Sequence, residues 1–112
     1  MGRWRPTVRR GEVWWADLPP PSGRRPVVLL SRDRAYQVRE FVTVAQVTTR
    51  IRHIPAEVAL GPEDGLPRVC VVNLDAINTI AKDSLEQMVT SLPAEKLQAI
   101  EAAIHYALAL ET

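Results

Sequence analysis

Residues 23–30 read GRRPVVLL, a stretch in which a turn passes directly into an apolar strand. The four aliphatic residues from Val27 to Leu30 are typical of a strand that is buried on both faces. Arg24 and Arg25 stand at the mouth of that strand, and a guanidinium is costly to bury unless it meets water or an anion. The stretch therefore predicts a buried strand whose N-terminal end is either exposed to solvent or bound to an anionic partner.

Short apolar segments on both sides of this stretch predict a mostly β fold. Residues 12–18 (EVWWADL) are rich in aromatic and β-branched types, and residues 41–48 (FVTVAQVT) alternate as a strand does. The proline-rich loop 19–23 cannot lie inside a strand, because proline donates no ladder hydrogen bond. The predicted strands are 12–18, 25–31, 41–48, 56–60, 68–74 and 76–81, with a polar connection at 32–40 and an ambiguous segment at 83–92.

A helix is predicted over residues 93–110. Pro93 suits a first helical turn. One face carries apolar residues at spacings of three and four, namely Leu97, Ile100, Ile104 and Leu108. Short strands followed by a helix predict a mainly β domain with a C-terminal helix, in the form of a small, strongly bent barrel. We expect a single domain over residues 10–112, with residues 1–9 as a basic arm that is a candidate for disorder.

Composition favours a reducing compartment for this domain. A chain of 112 residues, 46% of them hydrophobic, is long enough to bury a core without disulfides. Cys70 is the single cysteine, so no intrachain disulfide can form, which favours the cytosol. No apolar run approaches the length of a bilayer span, and the first ten residues lack the apolar region of a secretory signal. We therefore expect a cytoplasmic domain without a membrane partner.

Charge is distributed unevenly along the chain. Residues 1–56 carry a net charge of +7 and residues 57–112 one of −6, and the chain has twelve arginines but two lysines. Guanidinium groups bind phosphates bidentately and stack on bases, so this bias points mildly toward nucleic acid. A genome rich in G and C, whose codons favour arginine, explains the composition equally well.

Four motifs in fixed order carry a family resemblance. They are RRGEVWWADL (9–18), GRRPVVLLSRD (23–33), VTVAQVTTR (42–50) and CVVNLDAINTI (70–80). In this order they resemble the MazF/PemK-like toxins of bacterial toxin–antitoxin pairs, from about Arg9 to Leu110. The resemblance implies a dimeric SH3-like barrel that cleaves single-stranded RNA at short preferred sequences without a metal. It also implies a cognate antitoxin whose acidic, extended tail occupies the RNA groove.

Two residues match the positions that carry the chemistry in that family. RNA cleavage without a metal can use the substrate's own 2′-hydroxyl as nucleophile, so the protein must mainly bind the phosphate and neutralise transition-state charge. Arg25 matches the arginine of the Arg-Pro motif and is the candidate phosphate clamp, although pairing with Asp17 or Asp33 is its structural alternative. Thr48 matches the threonine that ends the third strand, and its hydroxyl can bond a phosphate oxygen. No cofactor and no metal are expected, because no His/Cys/Asp cluster has metal-ligand spacing.

Five further residues are candidate substrate contacts. Ser22 is the hydroxyl residue of the short loop 19–23, and Arg24 could add a phosphate contact or be solvated. Thr49 and Arg50 directly follow Thr48, where a solvated strand end is an equal alternative. Asp75 could read a base edge, though a turn residue after a strand is the commoner explanation.

Aromatic and histidine residues offer weaker candidates. Trp14 and Trp15 point to opposite faces of one strand, so one is expected in the core while the other could stack on a base or simply pack. His53 lies in a basic segment and could contact phosphate. His105 lies next to the apolar row of the helix and is expected to be structural.

Two other functions remain open at the level of sequence. One is a toxin of the same fold that poisons gyrase, which is a protein-binding activity that depends on the C-terminal helix. In this chain that helix offers Tyr106 as its aromatic anchor. The other is an RNA-binding barrel that does not cleave.

Overall fold

A computed structural model describes residues 7–110 as one antiparallel sheet of six strands with two helices. The elements are β1 (Glu12–Asp17), β2 (Arg24–Leu29), α1 (Ala35–Val38), β3 (Phe41–Thr48), β4 (Glu57–Leu60), β5 (Cys70–Ala81), β6 (Leu85–Ser91) and α2 (Ala94–Ala107). The strands are ordered β4-β5-β3-β2-β1-β6 across the sheet, which curls as in a small barrel. The predicted fold class, mainly β with a C-terminal helix, is confirmed.

Each face of the sheet carries its own hydrophobic cluster, because side chains alternate along a strand. On β1, Val13 enters one cluster and Trp14 the other, and on β2 the same alternation separates Val28 from Val27. The cluster that holds Val13 is also packed against α2, through Ile100 and other residues of that helix. Both clusters pass through β2, which confirms that this strand is buried on both faces.

β5 differs from the sequence prediction of two strands at 68–74 and 76–81. It is one strand of 12 residues with a bulge, since Ala45 of β3 pairs with Ile77 whereas its neighbour Gln46 pairs with Asn73. Residues 74–76 thus leave the ladder with β3 without ending the strand. The backbone N–H of Asp75 donates to the side-chain oxygen of Asn73 at 3.0 Å, which stabilises the bulge locally.

The ambiguous segment is resolved as a strand, since residues 85–91 form β6 and pair with β1. The sequence predicted that the helix ends at residue 110, but α2 ends at Ala107. The reason is local: Ala109 adopts a left-handed backbone conformation with φ of 54°, and the N–H of Leu110 bonds back to the carbonyl of His105 at 2.9 Å. Among residues 7–110, no helix combines the length and the apolar character that a bilayer span requires.

The predicted N-terminal arm, residues 1–9, is described only in part. Residues 1–6 lie outside the described residues. Val8 is buried in the same cluster as Trp14, and the backbone N–H of Arg9 donates to the Glu12 carboxylate at 3.1 Å. The end of the arm that adjoins β1 is therefore packed on the domain.

Candidate active site

Strand register brings Arg25 and Thr48 together. β2 and β3 pair through Val27–Gln46, Val28–Ala45 and Leu29–Val44. Continuing this antiparallel register by two residues places Arg25 opposite Thr48, on the same face of the sheet. The two residues line two adjoining hollows, one of about 360 Å³ and one of about 300 Å³. They therefore lie at the boundary between both hollows, although 22 residues separate them in the chain.

The Arg25 guanidinium is held at one nitrogen and is free to bind at the others. Its Nε donates to the backbone carbonyl of Ser22 at 3.3 Å, within the tight turn that connects β1 to β2. No carboxylate of residues 7–110 pairs with it, so the alternative of a surface ion pair with Asp17 or Asp33 is not what the structure contains. A half-buried guanidinium without an acidic partner is suited to bind an anion.

The Thr48 hydroxyl is oriented by the backbone that follows it. Its Oγ1 accepts a hydrogen bond from the N–H of Arg50 at 3.1 Å. A hydroxyl that accepts in this way still has its own proton, which it can donate to a second group. Thr48 thus offers a donor beside the guanidinium of Arg25.

The larger hollow has mostly apolar walls and is called the apolar hollow below. Beyond Arg25 and Thr48, its lining consists of Trp15, Pro26, Val47, Thr49, Leu66, Pro67, Arg68 and Cys70. Leu66, Pro67 and Arg68 come from the loop between β4 and β5. That loop begins with a 3-10 turn at Pro62–Asp64 that ends at Gly65, whose φ of 95° is easily adopted by glycine.

The smaller hollow is polar and basic and is called the polar hollow. Beyond Arg25 and Thr48, it is lined by Gln46, Arg50, Arg52, Asn73 and Ala76. The segment that carries Arg52 is fixed by Glu57, whose Oε1 accepts the backbone N–H groups of Arg52 at 2.9 Å and His53 at 3.1 Å. Three guanidiniums on one hollow give it a positive potential that suits a polyanion.

Comparison with known proteins assigns the family. The sequence model of the PemK-like, MazF-like toxins of type II toxin–antitoxin systems matches residues 9–108. The chain belongs to this family. The resemblance that its motifs predicted is confirmed, and the chain is the toxin component of a type II toxin–antitoxin system.

Individual relatives agree over most of the chain. A protein named probable endoribonuclease MazF5, from Mycobacterium tuberculosis, is 40% identical over 99 residues, which cover 88% of this chain and 90% of the relative. A solved endoribonuclease from a mycobacterial species superposes with a TM-score of 0.85 at 29% identity, covering 98% of this chain and 99% of that one. A second mycobacterial endoribonuclease, solved in complex with its cognate antitoxin, superposes with a TM-score of 0.85 at 31% identity, covering 94% and 98%.

The structure distributes the predicted contact residues of this MazF-like chain unevenly. Thr49 lines the apolar hollow and Arg50 the polar hollow, so both lie beside Arg25 and Thr48. Ser22 lines neither hollow and contributes its carbonyl to Arg25. Asp75 is exposed in the β5 bulge and also lines neither.

Arg24 is engaged with protein groups rather than with either hollow. Its Nε donates to Glu86 of β6 at 2.8 Å, and its guanidinium carbon lies 4.4 Å from the centre of the Trp15 ring. Trp15 is half-buried and lines the apolar hollow, whereas Trp14 is 7% exposed and donates from its ring nitrogen to Glu12 at 2.9 Å. The prediction that one of the two tryptophans belongs to the core is confirmed.

Several lining residues carried no signal that sequence reasoning could use. Arg68 and Arg52 come from loops, and Gln46 lies in a strand where alternate positions are apolar. His53, a weak candidate from the sequence, is exposed and lines neither hollow. Arg52 lies inside the basic segment 49–55, but that setting does not distinguish it from a solvated arginine.

Cys70 lines the apolar hollow but has the character of a core residue. Burial raises the pKa of its thiol, and the carboxylates of Asp64 and Glu63 raise it further. The thiol therefore stays neutral at physiological pH and is a weak nucleophile.

Proposed function

We propose that this toxin is an endoribonuclease that cleaves single-stranded RNA at preferred sequences in the cytoplasm, without a metal or cofactor. The relatives named endoribonucleases support the reaction class. The observation that carries the proposal for this chain is the convergence of Arg25 and Thr48 at the boundary of two open hollows.

The reaction needs little covalent chemistry from the protein. The ribose 2′-oxygen attacks the adjacent phosphorus and passes its proton to solvent water. The bond from phosphorus to the 5′-oxygen of the next nucleotide breaks, and that oxygen takes up a proton from water. The products are a 2′,3′-cyclic phosphate and a 5′-hydroxyl end. Negative charge accumulates on the non-bridging phosphate oxygens in the transition state, where fixed donors stabilise it most.

We assign charge stabilisation to Arg25 and a hydrogen bond to a phosphate oxygen to Thr48. The free guanidinium nitrogens of Arg25 can bind two oxygens at once, and Nε is fixed by the Ser22 carbonyl. Neither hollow is lined by a carboxylate or an imidazole of residues 7–110, so no ordinary general base stands beside the phosphate. A guanidinium keeps its proton under all ordinary conditions in a protein, which makes it a far better electrostatic group than a proton donor.

The remaining predicted contacts divide into residues beside Arg25 and Thr48 and residues outside the two hollows. Thr49 and Arg50 line the hollows next to Thr48, and we propose that both contact RNA. Ser22 acts through its carbonyl on Arg25. Arg24 and Asp75 line neither hollow and stay as predicted contacts for RNA outside them.

We also propose that the cognate antitoxin inhibits by occupying the basic surface of the two hollows with an acidic segment. The guanidiniums of Arg25, Arg50 and Arg52 suit a row of carboxylates as well as a row of phosphates. RNA and antitoxin should therefore compete. An antitoxin peptide that leaves the Kd of RNA unchanged at saturation would contradict the shared surface.

A homodimer is proposed from the apolar residues that α2 and the segment after it expose. Tyr106 is 61% and Leu108 55% exposed, and a groove of about 510 Å³ runs between α2 and β4. Sedimentation equilibrium at micromolar concentration should give twice the chain mass. A monomer would contradict the dimer.

One assay tests the activity and separates it from its alternatives. Purified protein is incubated with a mixed RNA pool in EDTA, and the new 5′ ends are mapped. Discrete cuts that are lost in Arg25→Ala and Thr48→Ala support the proposal. Arg39→Ala, which changes an exposed arginine that lines neither hollow, is the matched control. Intact RNA, together with arrest of gyrase in a separate assay that contains DNA and Mg²⁺, indicates the gyrase-poisoning alternative. Binding without cuts indicates a non-cleaving RNA-binding barrel.

A further inference from the structure

We infer that the apolar hollow is a nucleobase subsite, in which one unpaired base next to the scissile phosphate stacks on Trp15 and is read by Arg68. The inference rests on the proposed function and adds the substrate feature that this site selects. The base is one that offers two adjacent hydrogen-bond acceptors, namely cytosine or guanine.

The two hollows that meet at Arg25 and Thr48 differ in chemistry. Besides Arg25 and Thr48, the apolar hollow is lined by Trp15, Pro26 and Leu66 among others, whereas the polar hollow is lined by arginines and side-chain amides. An RNA strand has the same two components, an apolar base face and a charged backbone. With the phosphate at Arg25, the neighbouring base fits the apolar hollow and the continuing backbone fits the polar one.

Trp15 is held in place for stacking. The Arg24 guanidinium lies over its ring at 4.4 Å, and Glu86 fixes that guanidinium through a hydrogen bond of 2.8 Å. Arg24 does not line the apolar hollow, so the part of the ring that faces the hollow is not covered by the guanidinium. A base entering the hollow therefore meets an aromatic surface whose orientation is already set.

Arg68 is the group that can select the base. It is exposed, it lines the apolar hollow, and it makes no hydrogen bond or ion pair with residues 7–110. A guanidinium only donates, so bidentate recognition requires two neighbouring acceptors. Guanine offers O6 and N7, and cytosine offers O2 and N3, whereas adenine and uracil place a donor beside each such acceptor on the corresponding edges.

The test measures base preference and binding separately from cutting. Cleavage of a randomised RNA pool gives the preference at each position around the cut, for the parent protein, Arg68→Ala and the control Arg39→Ala. We expect a preference for cytosine or guanine, on the order of 10-fold, at a position beside the cut. Arg68→Ala should abolish it there and leave the other positions unchanged, whereas Arg39→Ala should change none.

Stacking is tested with an RNA that carries 2′-deoxyribose at the cleavage site and therefore binds without being cut. Trp15→Ala should weaken its binding about 5- to 100-fold, and Trp15→Phe should weaken it less. Glu86→Gln, which acts through Arg24, should give an affinity between those of the parent and Trp15→Ala. Removing the base at the selected position should weaken RNA binding by the parent to a similar extent. It should change RNA binding by Trp15→Ala very little, because that variant has already lost the stacking surface.

Two results would overturn the inference while leaving the nuclease proposal intact. One is a base preference that Arg68→Ala leaves unchanged. The other is a loss of binding on removal of the base that is as large in Trp15→Ala as in the parent. In both cases cutting would still require Arg25. A parent protein that binds the deoxy-substituted RNA with these same preferences but cuts nothing would instead contradict the proposed function and retain the subsite.

Discussion

Replacing Thr48 by valine tests the hydroxyl without changing the shape of the side chain. Because Oγ1 accepts the Arg50 N–H, its own proton is available for a phosphate oxygen. A hydrogen bond to a charged group contributes about 1.5–3 kcal/mol, which corresponds to a rate loss of about 10- to 150-fold at about 1.4 kcal/mol per tenfold. The folded state should lose less than about 1 kcal/mol, because the Arg50 N–H is exposed and water can replace its acceptor.

The assay is single-turnover cleavage of one short RNA that contains a mapped cut site. Thr48→Ser keeps a hydroxyl and should retain most of the rate, and Thr79→Val, an exposed threonine of β5 away from the hollows, should leave the rate unchanged. Urea unfolding of each variant checks that the fold is retained. A Thr48→Val rate within about twofold of the parent would refute the assigned role of the hydroxyl.

Further predictions concern the fold that holds the site. Ile100→Ala should lower the free energy of unfolding by about 2–5 kcal/mol in urea titrations, because Ile100 is 1% exposed and joins α2 to the sheet. Burial raises the pKa of the Cys70 thiol in the folded protein, so above the unfolded thiol pKa of about 8.5 the unfolded chain ionises more readily than the folded one. The free energy of unfolding should therefore fall as the pH rises above that value. Cys70→Ala should reduce this decline in thermal unfolding measured at several pH values. Gly65→Ala should lower the free energy of unfolding more than Gly23→Ala in urea titrations. Both glycines have positive φ, but only a Cβ added at Gly65 clashes with a neighbour, since it would lie 2.5 Å from Oγ1 of Thr90. Equal losses of stability would contradict this reading.

Local patterns were sufficient for the frame of this fold. The aliphatic run at 27–30 predicted a doubly buried strand, and the apolar spacing of three and four predicted α2, because each signal depends on neighbours in sequence. The end of α2 and the bulge of β5 were missed for the opposite reason. They depend on the left-handed conformation of Ala109 and on a register change opposite Ala45, which tertiary pairing decides.

The candidate site was predictable only where a motif marked it. Arg25 and Thr48 were identified through family resemblance, and the register of β2 and β3 explains physically why they meet. Arg68 and Arg52 were missed because loops bring them to the hollows and nothing in local sequence distinguishes them from solvated arginines. The engagement of Arg24 by Glu86 was also beyond sequence reasoning, since 62 positions separate the two residues.

A double-mutant cycle on Arg25 and Thr48 gives the most direct measurement of whether both act on one phosphate. Single-turnover cleavage rates in EDTA are compared for the parent, Arg25→Lys, Thr48→Val and the double variant, all on the same RNA. Groups that bind the same transition state cooperatively give a double variant much less impaired than the product of the two single losses. We predict this result, with each single loss at tenfold or more. Two losses that multiply fully, or a single variant that cleaves at the parent rate, would contradict a shared phosphate site.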